Sequence, residues 1–328
     1  MTIAQKNNLH ASLMALAAFG LFSTHDVLIK ILGSSYATFQ ILFFSVLLSF
    51  PLVMLMLMRD SAPGTLMPVH PWWTALRTGA VVMTASSAFY AFSALPLTQV
   101  YAIIFTAPLL ITVLSIPVLG EKVGWHRWGA IILGLIGVFV VLQPGSAELG
   151  LGHLAALLAA IGSATASVIV RKIGKDERDA VLLLSPMMAN FILMAIAMPF
   201  TYVPMPVEHI GWIGVMSVLA FAAGLLMIVA YKNGDATIVA PMQYSQILWA
   251  ALFGSLFFAE SPTIETWVGA GIINVSGLYI LLRESLGSTS KNRPVLTTKS
   301  RAETGTSPRV SIIEQMTAPN PVAKPDET

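Results

Sequence analysis

"PVLGEKVGWHRWGAIILGLIGVFVVL", residues 117–142, closes one apolar stretch, turns through a short charged break and opens another. Sliding the chain by 139 residues lays it on "LFFAESPTIETWVGAGIINVSGLYILL", residues 256–282, with Glu121 on Glu260 and Trp128 on Trp267. The same ungapped shift sets Trp73 on Trp212, Ala91 on Ala230, Thr98 on Thr237, Val100 on Val239 and Leu109 on Leu248. A shift of 142 sets "LAAFG" (16–20) on "LAAIG" (158–162) and Lys30 on Lys172. Rare tryptophans and a break-point glutamate that stay in register mark an internal repeat.

Composition places that repeat in a membrane. The 328 residues are 56% hydrophobic and only 10% charged, with a mean hydropathy of +0.77; a soluble domain carries roughly 25% charged residues. The net charge is only +2, and no basic block with interleaved aromatics suggests nucleic acid. The absence of cysteine excludes disulfides, thiolate metal sites and cysteine nucleophiles. Nothing in the sequence implies a cofactor or a bound metal.

A helix needs about 20 apolar residues to cross roughly 30 Å of hydrocarbon. Ten segments approach that length: 11–32, 37–58, 72–93, 98–118, 128–143, 150–170, 180–200, 210–230, 237–258 and 264–282. "SALPLT" (93–98) is the weakest break, and merging there leaves nine. The first apolar run continues beyond a signal-peptide core, and the repeat needs it as a helix. With the N-terminus inside, every one of the 18 Lys and Arg except Lys30 falls on a cytoplasmic loop, a cytoplasmic helix end or the tail, as the positive-inside rule expects. The expectation is an all-α polytopic protein with both termini cytoplasmic. Residues 1–10 form the N-terminus, 11–143 the first repeat, 150–284 the second, and the Ser/Thr/Pro-rich stretch 285–328 a disordered cytoplasmic tail.

Five helices per repeat is an odd number, so the second copy inserts upside down. Inverted repeats of this kind build many secondary transporters, with substrate held between the repeats near mid-membrane. The Glu ending the fourth helix of each repeat, then Trp and small residues in the fifth, resembles the ends of two EamA repeats of the drug/metabolite transporter superfamily. That resemblance covers about residues 10–284. It implies a ten-helix transporter working by alternating access in a bacterial inner membrane. "GLFSTHDVLIK" (20–30) is also similar to the N-terminal segment of a bacterial subgroup that includes riboflavin importers, which implies riboflavin or a similar metabolite as substrate. An exporter of amino acids or other metabolites is the alternative.

Polar residues inside the apolar segments are the candidate substrate-binding set: His25, Asp26, Lys30, Tyr101, Thr106, Gln243, Tyr244 and Gln246. Phe19, Ser23, Asp26 and Lys30 share one helical face. Asp26 precedes Lys30 by four residues, so the two read either as a self-neutralised helical pair or as a charged cavity wall. His25 is turned about 100° away. Gln243 and Gln246 share a face at i, i+3 beside Pro241, and span four offers Tyr101, Thr106 and Pro108. Each of these polar groups could equally bond between packed helices. Glu121 and Glu260 read as structural, placed at the N-terminal dipoles of spans five and ten. Asn190 and Asn274 read as packing residues. The glycines of spans five and ten (129, 134, 137, 269, 271, 277) mark close packing or a homodimer contact.

No GxxxxGK[ST] occurs, so nothing in the chain would hydrolyse ATP. A membrane-embedded enzyme would need converging ligands or paired carboxylates. The six histidines are scattered, and no apolar span holds two carboxylates. A non-transporting receptor would have no use for inverted repeats.

Overall fold

The computed structural model describes residues 3–57, 66–121, 123–143, 149–174, 176–233 and 236–286. Among them every regular element is a helix: α1 Ile3–Gly33, α2 Thr38–Leu57, α3 Pro71–Ala94, α4 Leu97–Ile104, α5 Ala107–Leu119, α6 Trp125–Leu142, α7 Leu151–Ile173, α8 Asp179–Ala197, α9 Val207–Asn233, α10 Ala236–Val239, α11 Gln246–Phe258 and α12 Ile264–Leu286. Short 3₁₀ turns cover Met198–Phe200 and Ala240–Ser245. The expected disordered tail lies outside the described residues except for its first two positions. At the other end α1 starts at Ile3, inside the expected N-terminal extension, because no Gly or Pro stops the helix before Leu9.

Seven stretches among the described residues are long and apolar enough to cross a membrane: 9–33, 38–55, 97–119, 125–142, 151–173, 180–200 and 207–233. The chain is an all-helical membrane protein. α3 and α12 have the length as well, but α3 carries Arg77, α12 carries Glu265, Arg283 and Glu284, and both hold several hydroxyl or amide side chains.

Helix pairing follows the repeat. α1 packs on α9 as α3 packs on α7, and α5 packs on α7 as α11 packs on α1. α6 with α12, and α2 with α8, pair each helix with its own counterpart under the chain shift. Glycine sets the closest approach. A Cβ on Gly137 would lie 2.9 Å from the Gly269 carbonyl oxygen, and one on Gly269 would lie 2.7 Å from that of Gly137. These two glycines and Gly134, which faces Leu109 and Ser276, therefore pack α6 on α12 within one chain rather than between two. Gly129 and Gly271 meet nothing within 4 Å.

Glu177, in the loop after α7, holds the chain as it enters α3: it accepts from the backbone N–H of Val69 at 3.1 Å and of His70 at 2.5 Å, and from Thr74 Oγ1 in the first turn at 3.3 Å. These bonds tie the start of one helix to the loop behind its packing partner.

Replacing Gly137 or Gly269 by Leu is expected to abolish recovery of folded protein from detergent, because a backbone carbonyl blocks the new Cβ. Gly129→Ala and Gly271→Ala should leave the size-exclusion profile unchanged. Glu177→Ala leaves the Val69 and His70 N–H groups without that acceptor, and melting in detergent should reveal a loss of about 1–3 kcal/mol.

Candidate functional site

Both segments beside the site are broken, the ninth at Pro241 where an interruption was expected and the fourth ahead of Pro108. Pro108 has no N–H to give Ile104, so the helix through 97–119 stops at Ile104 and restarts at Ala107. Thr106 N–H bonds to the Ile103 carbonyl at 3.1 Å in a tighter turn, and Thr106 Oγ1 donates to the same oxygen at 2.7 Å. In the ninth segment Pro241 lies in the 3₁₀ turn Ala240–Ser245, ahead of α11. Non-helical backbone at this depth is tolerated only where protein buries it or a cavity receives it.

Against these breaks α1 presents Asp26, whose exposure is 0%. Tyr101 Oη of α4 donates to Asp26 Oδ2. His25 Nδ1 lies 2.8 Å from Asp26 Oδ1. Gln246 Nε2 of α11 donates to Tyr101 Oη at 3.3 Å, and Ser23 Oγ lies 3.4 Å from that oxygen. The first repeat contributes an acid, an imidazole and a phenol, and the second an amide. Aromatic rings line one side in sequence: Phe92 to Tyr101 at 5.3 Å between centroids, Tyr101 to Phe105 at 5.7 Å, and Phe105 to Tyr244 at 5.3 Å.

His25, Asp26, Tyr101 and Gln246 thus come together, while the other four expected residues do other things. Lys30 does not pair with Asp26. Its Nζ lies 2.7 Å from Glu260 Oε1 and donates to the Leu95 carbonyl at 2.5 Å, with the Phe258 ring 5.2 Å away. Asp26 already has its partners, and a lysine near a helix end meets less desolvation by reaching outward. Thr106 spends its hydroxyl on the local backbone. Gln243 is half-buried in the 3₁₀ turn, and the Tyr244 hydroxyl fills the space left by Gly277, where a Cβ would lie 2.0 Å from it. Adjacent residues 100° apart on a helix do converge here, since Nδ1 and a short carboxylate can span that angle; His25 and Asp26 were expected to diverge.

Glu121 and Glu260 also depart from expectation. Neither is merely the anion of the helix that follows it. Glu260 joins Lys30 and accepts from the Leu97 N–H at 3.1 Å, capping α4. Glu121 pairs with Arg171 Nη2 at 2.5 Å. The turns that carry them match, since each glutamate N–H reaches back six residues, Glu121 to Ser115 and Glu260 to Gly254. The preceding Gly120 and Ala259 are both left-handed, at φ 69° and 52°.

Buried polar groups thus gather at two breaks in otherwise apolar segments. The sequence pattern of the EamA-like transporter family matches residues 9–143 and again 150–283. The chain belongs to the EamA-like transporter family. It is 27% identical over 274 residues to a Rickettsia prowazekii protein named S-adenosylmethionine uptake transporter, covering 82% of this chain and 92% of that one. It is 31% identical over 196 residues to a Vibrio cholerae riboflavin transporter, covering 56% and 62%. A Rhizobium johnstonii riboflavin transporter is 28% identical over 229 residues, covering 66% and 72%. One solved crystal structure superimposes with a TM-score of 0.56 at 19% identity, over 85% of this chain and 99% of the other, which supports the fold alone.

Tyr101→Phe deletes the donor to Asp26 and the acceptor for Gln246 while keeping the ring. Leaving buried polar groups short of a partner costs about 1–3 kcal/mol, so the variant should melt earlier in detergent than wild type. Thr106→Val, which touches only local backbone, should shift the melting point less.

Proposed function

We propose that this chain is an uptake transporter for a small organic cation bearing a planar heterocycle, with S-adenosylmethionine as the leading substrate. The observation that carries the reading is the fully buried Asp26 beside the aromatic series from Phe92 to Tyr244. A carboxylate withdrawn from water favours the approach of a substrate cation over that of a neutral or anionic one. Rings at 5–6 Å spacing suit the stacking of a purine and contact with an onium centre. S-adenosylmethionine carries both, as a sulfonium and an adenine, and the relatives named for its uptake match most of this chain. Riboflavin is the second reading, favoured by the relatives named for it and by the amide of Gln246 beside the rings. It is neutral and offers Asp26 no counter-charge.

The architecture we infer is ten membrane crossings as two inverted five-helix units, about residues 11–143 and 150–284, in a bacterial inner membrane with both termini cytoplasmic. The two family matches and the exchange of helix pairs under the chain shift support it. Transport then runs by rocking one unit against the other, driven by a gradient or by exchange, since no nucleotide-binding loop is present.

Uptake of labelled S-adenosylmethionine into cells expressing the chain should exceed that of controls. Asp26→Asn should lose most of it at equal expression, and excess unlabelled riboflavin should compete weakly. Riboflavin uptake without S-adenosylmethionine uptake would select the second reading, and efflux of either would reverse the direction. Reporter fusions after Ser146 and after Lys175 should report periplasm and cytoplasm respectively.

A further inference from the structure

Lys30–Glu260 and Arg171–Glu121 occupy matched places in the two repeats. Glu121 and Glu260 coincide under the shift of 139, and Lys30 coincides under the shift of 142 with Lys172, the neighbour of Arg171. In each case a glutamate just past a left-handed turn meets a cation from the last turn of the first helix in the opposite repeat. Lys172 itself donates to the Val118 carbonyl at 2.8 Å, beside the Arg171 pair.

The two pairs stand at opposite ends of one broken helix. Glu260 caps Leu97, where α4 starts, and Glu121 follows Leu119, where α5 ends. The 23 residues between these ends extend about 33 Å at 1.5 Å per residue, the thickness of a hydrocarbon core. Both pairs are formed together, and all four side chains are less than a fifth exposed.

What the duplication kept differs from what it lost. Under the shift of 142, His25 and Asp26 fall on Ser167 and Val168; under the shift of 139, Tyr101 falls on Ala240 and Gln246 on Ala107. The recognition cluster exists once, whereas a charged pair exists at each end. Recognition needs one copy, and alternating access needs two closures.

Resting on the transport reading above, we propose that Lys30–Glu260 and Arg171–Glu121 are the two gates of the transport path, opened in alternation. The Lys30–Glu260 gate acts directly on the site. Lys30 shares α1 with Asp26, one helical turn away, and Glu260 holds the first residue of α4, which carries Tyr101. Parting the pair frees both halves of the Asp26–Tyr101 hydrogen bond, and the break at Phe105–Thr106 lets α4 tilt apart from α5. The Arg171–Glu121 gate lies about 30 Å further along the helix and closes the other mouth.

The chain has no cysteine, so S23C provides a single reporter thiol within the cluster. A membrane-impermeant maleimide, applied to the face of the membrane bearing Lys30, reads its accessibility without any substrate. E260Q and K30M should each raise labelling by about fivefold, and E121Q and R171M should each lower it by about fivefold. The charge swap K30E with E260K should return labelling toward the parent value, which a fold-damaged variant would not do. Joining K30C to E260C with a short bis-methanethiosulfonate linker should stop uptake, and reduction of the linker should restore it. Equal labelling in all four single variants, or uptake by the linked chain at the unlinked rate, would overturn the gates. Opposite labelling shifts in a chain that takes up neither candidate substrate would uphold the gates and overturn the substrate assignment.

Discussion

A charge placed in hydrocarbon has to be met by another group, at a cost of several kcal/mol if it is not. Among the described residues this demand is met around Asp26, at Lys30 and Glu260, at Arg171 and Glu121, and at the buried Arg77, which donates to the Leu182 carbonyl at 2.6 Å. Much of the remaining architecture can be read as the means of bringing those groups together. α1 must run beside α4 and α11 for Asp26 to reach Tyr101 and for Lys30 to reach Glu260. The glycine seam between α6 and α12 holds its helices by close backbone approach and by the side chains of Val141, Ile272, Ile273 and Ser276 packed over the glycines. One part of the protein is therefore bound by shape, and the other by polar contacts that water or a ligand can replace.

The two proline breaks are where helix regularity yields to this arrangement. An unbroken helix through residues 97–119 would satisfy its own backbone and leave no slack. Pro108 and Pro241 remove donors at different points of the two repeats, yet under the shift of 139 both segments start, restart and end in register (97, 107 and 119 with 236, 246 and 258), and they differ in the 3₁₀ turn Ala240–Ser245. α4 becomes an eight-residue piece held at its start by Glu260 and near its middle by Asp26. Those two contacts add to the packing of its buried face on α7, α11 and α12.

The all-helical membrane class and the family were legible in the sequence because they depend on quantities that accumulate along the chain: apolar run length and a repeat in register. The face carrying Phe19, Ser23, Asp26 and Lys30 was legible for the same reason, and the first three are buried as its periodicity implies. The partners were not. Asp26 and Lys30 stand four residues apart, which local geometry favours as a pair, yet tertiary neighbours outbid that choice on both sides. Tyr101 lies 75 residues from Asp26, and Glu260 is far more remote from Lys30. The repeat did hold a clue: Lys30 aligns with Lys172 and Glu260 with Glu121, so two matched cations and two matched anions could have been read as two pairs. Thr106, Gln243 and Tyr244 show the opposite difficulty. Residue type placed them among the candidates, while the local turn and the space at Gly277 decided where their polar atoms went.

The matched turns before Glu121 and Glu260 are alike in shape but not in strain. Gly120 enters the left-handed region freely. Ala259 makes the same turn with a side chain attached, and its φ of 52° costs roughly 1–2 kcal/mol. That strain is relieved if the end of α11 unwinds, and no comparable relief exists at Gly120. The two ends of the molecule thus differ in internal energy where their geometry is nearly the same. A difference of about 1.4 kcal/mol is a factor of ten in population, so one alanine is enough to make the turn before Glu260 the readier of the two to open.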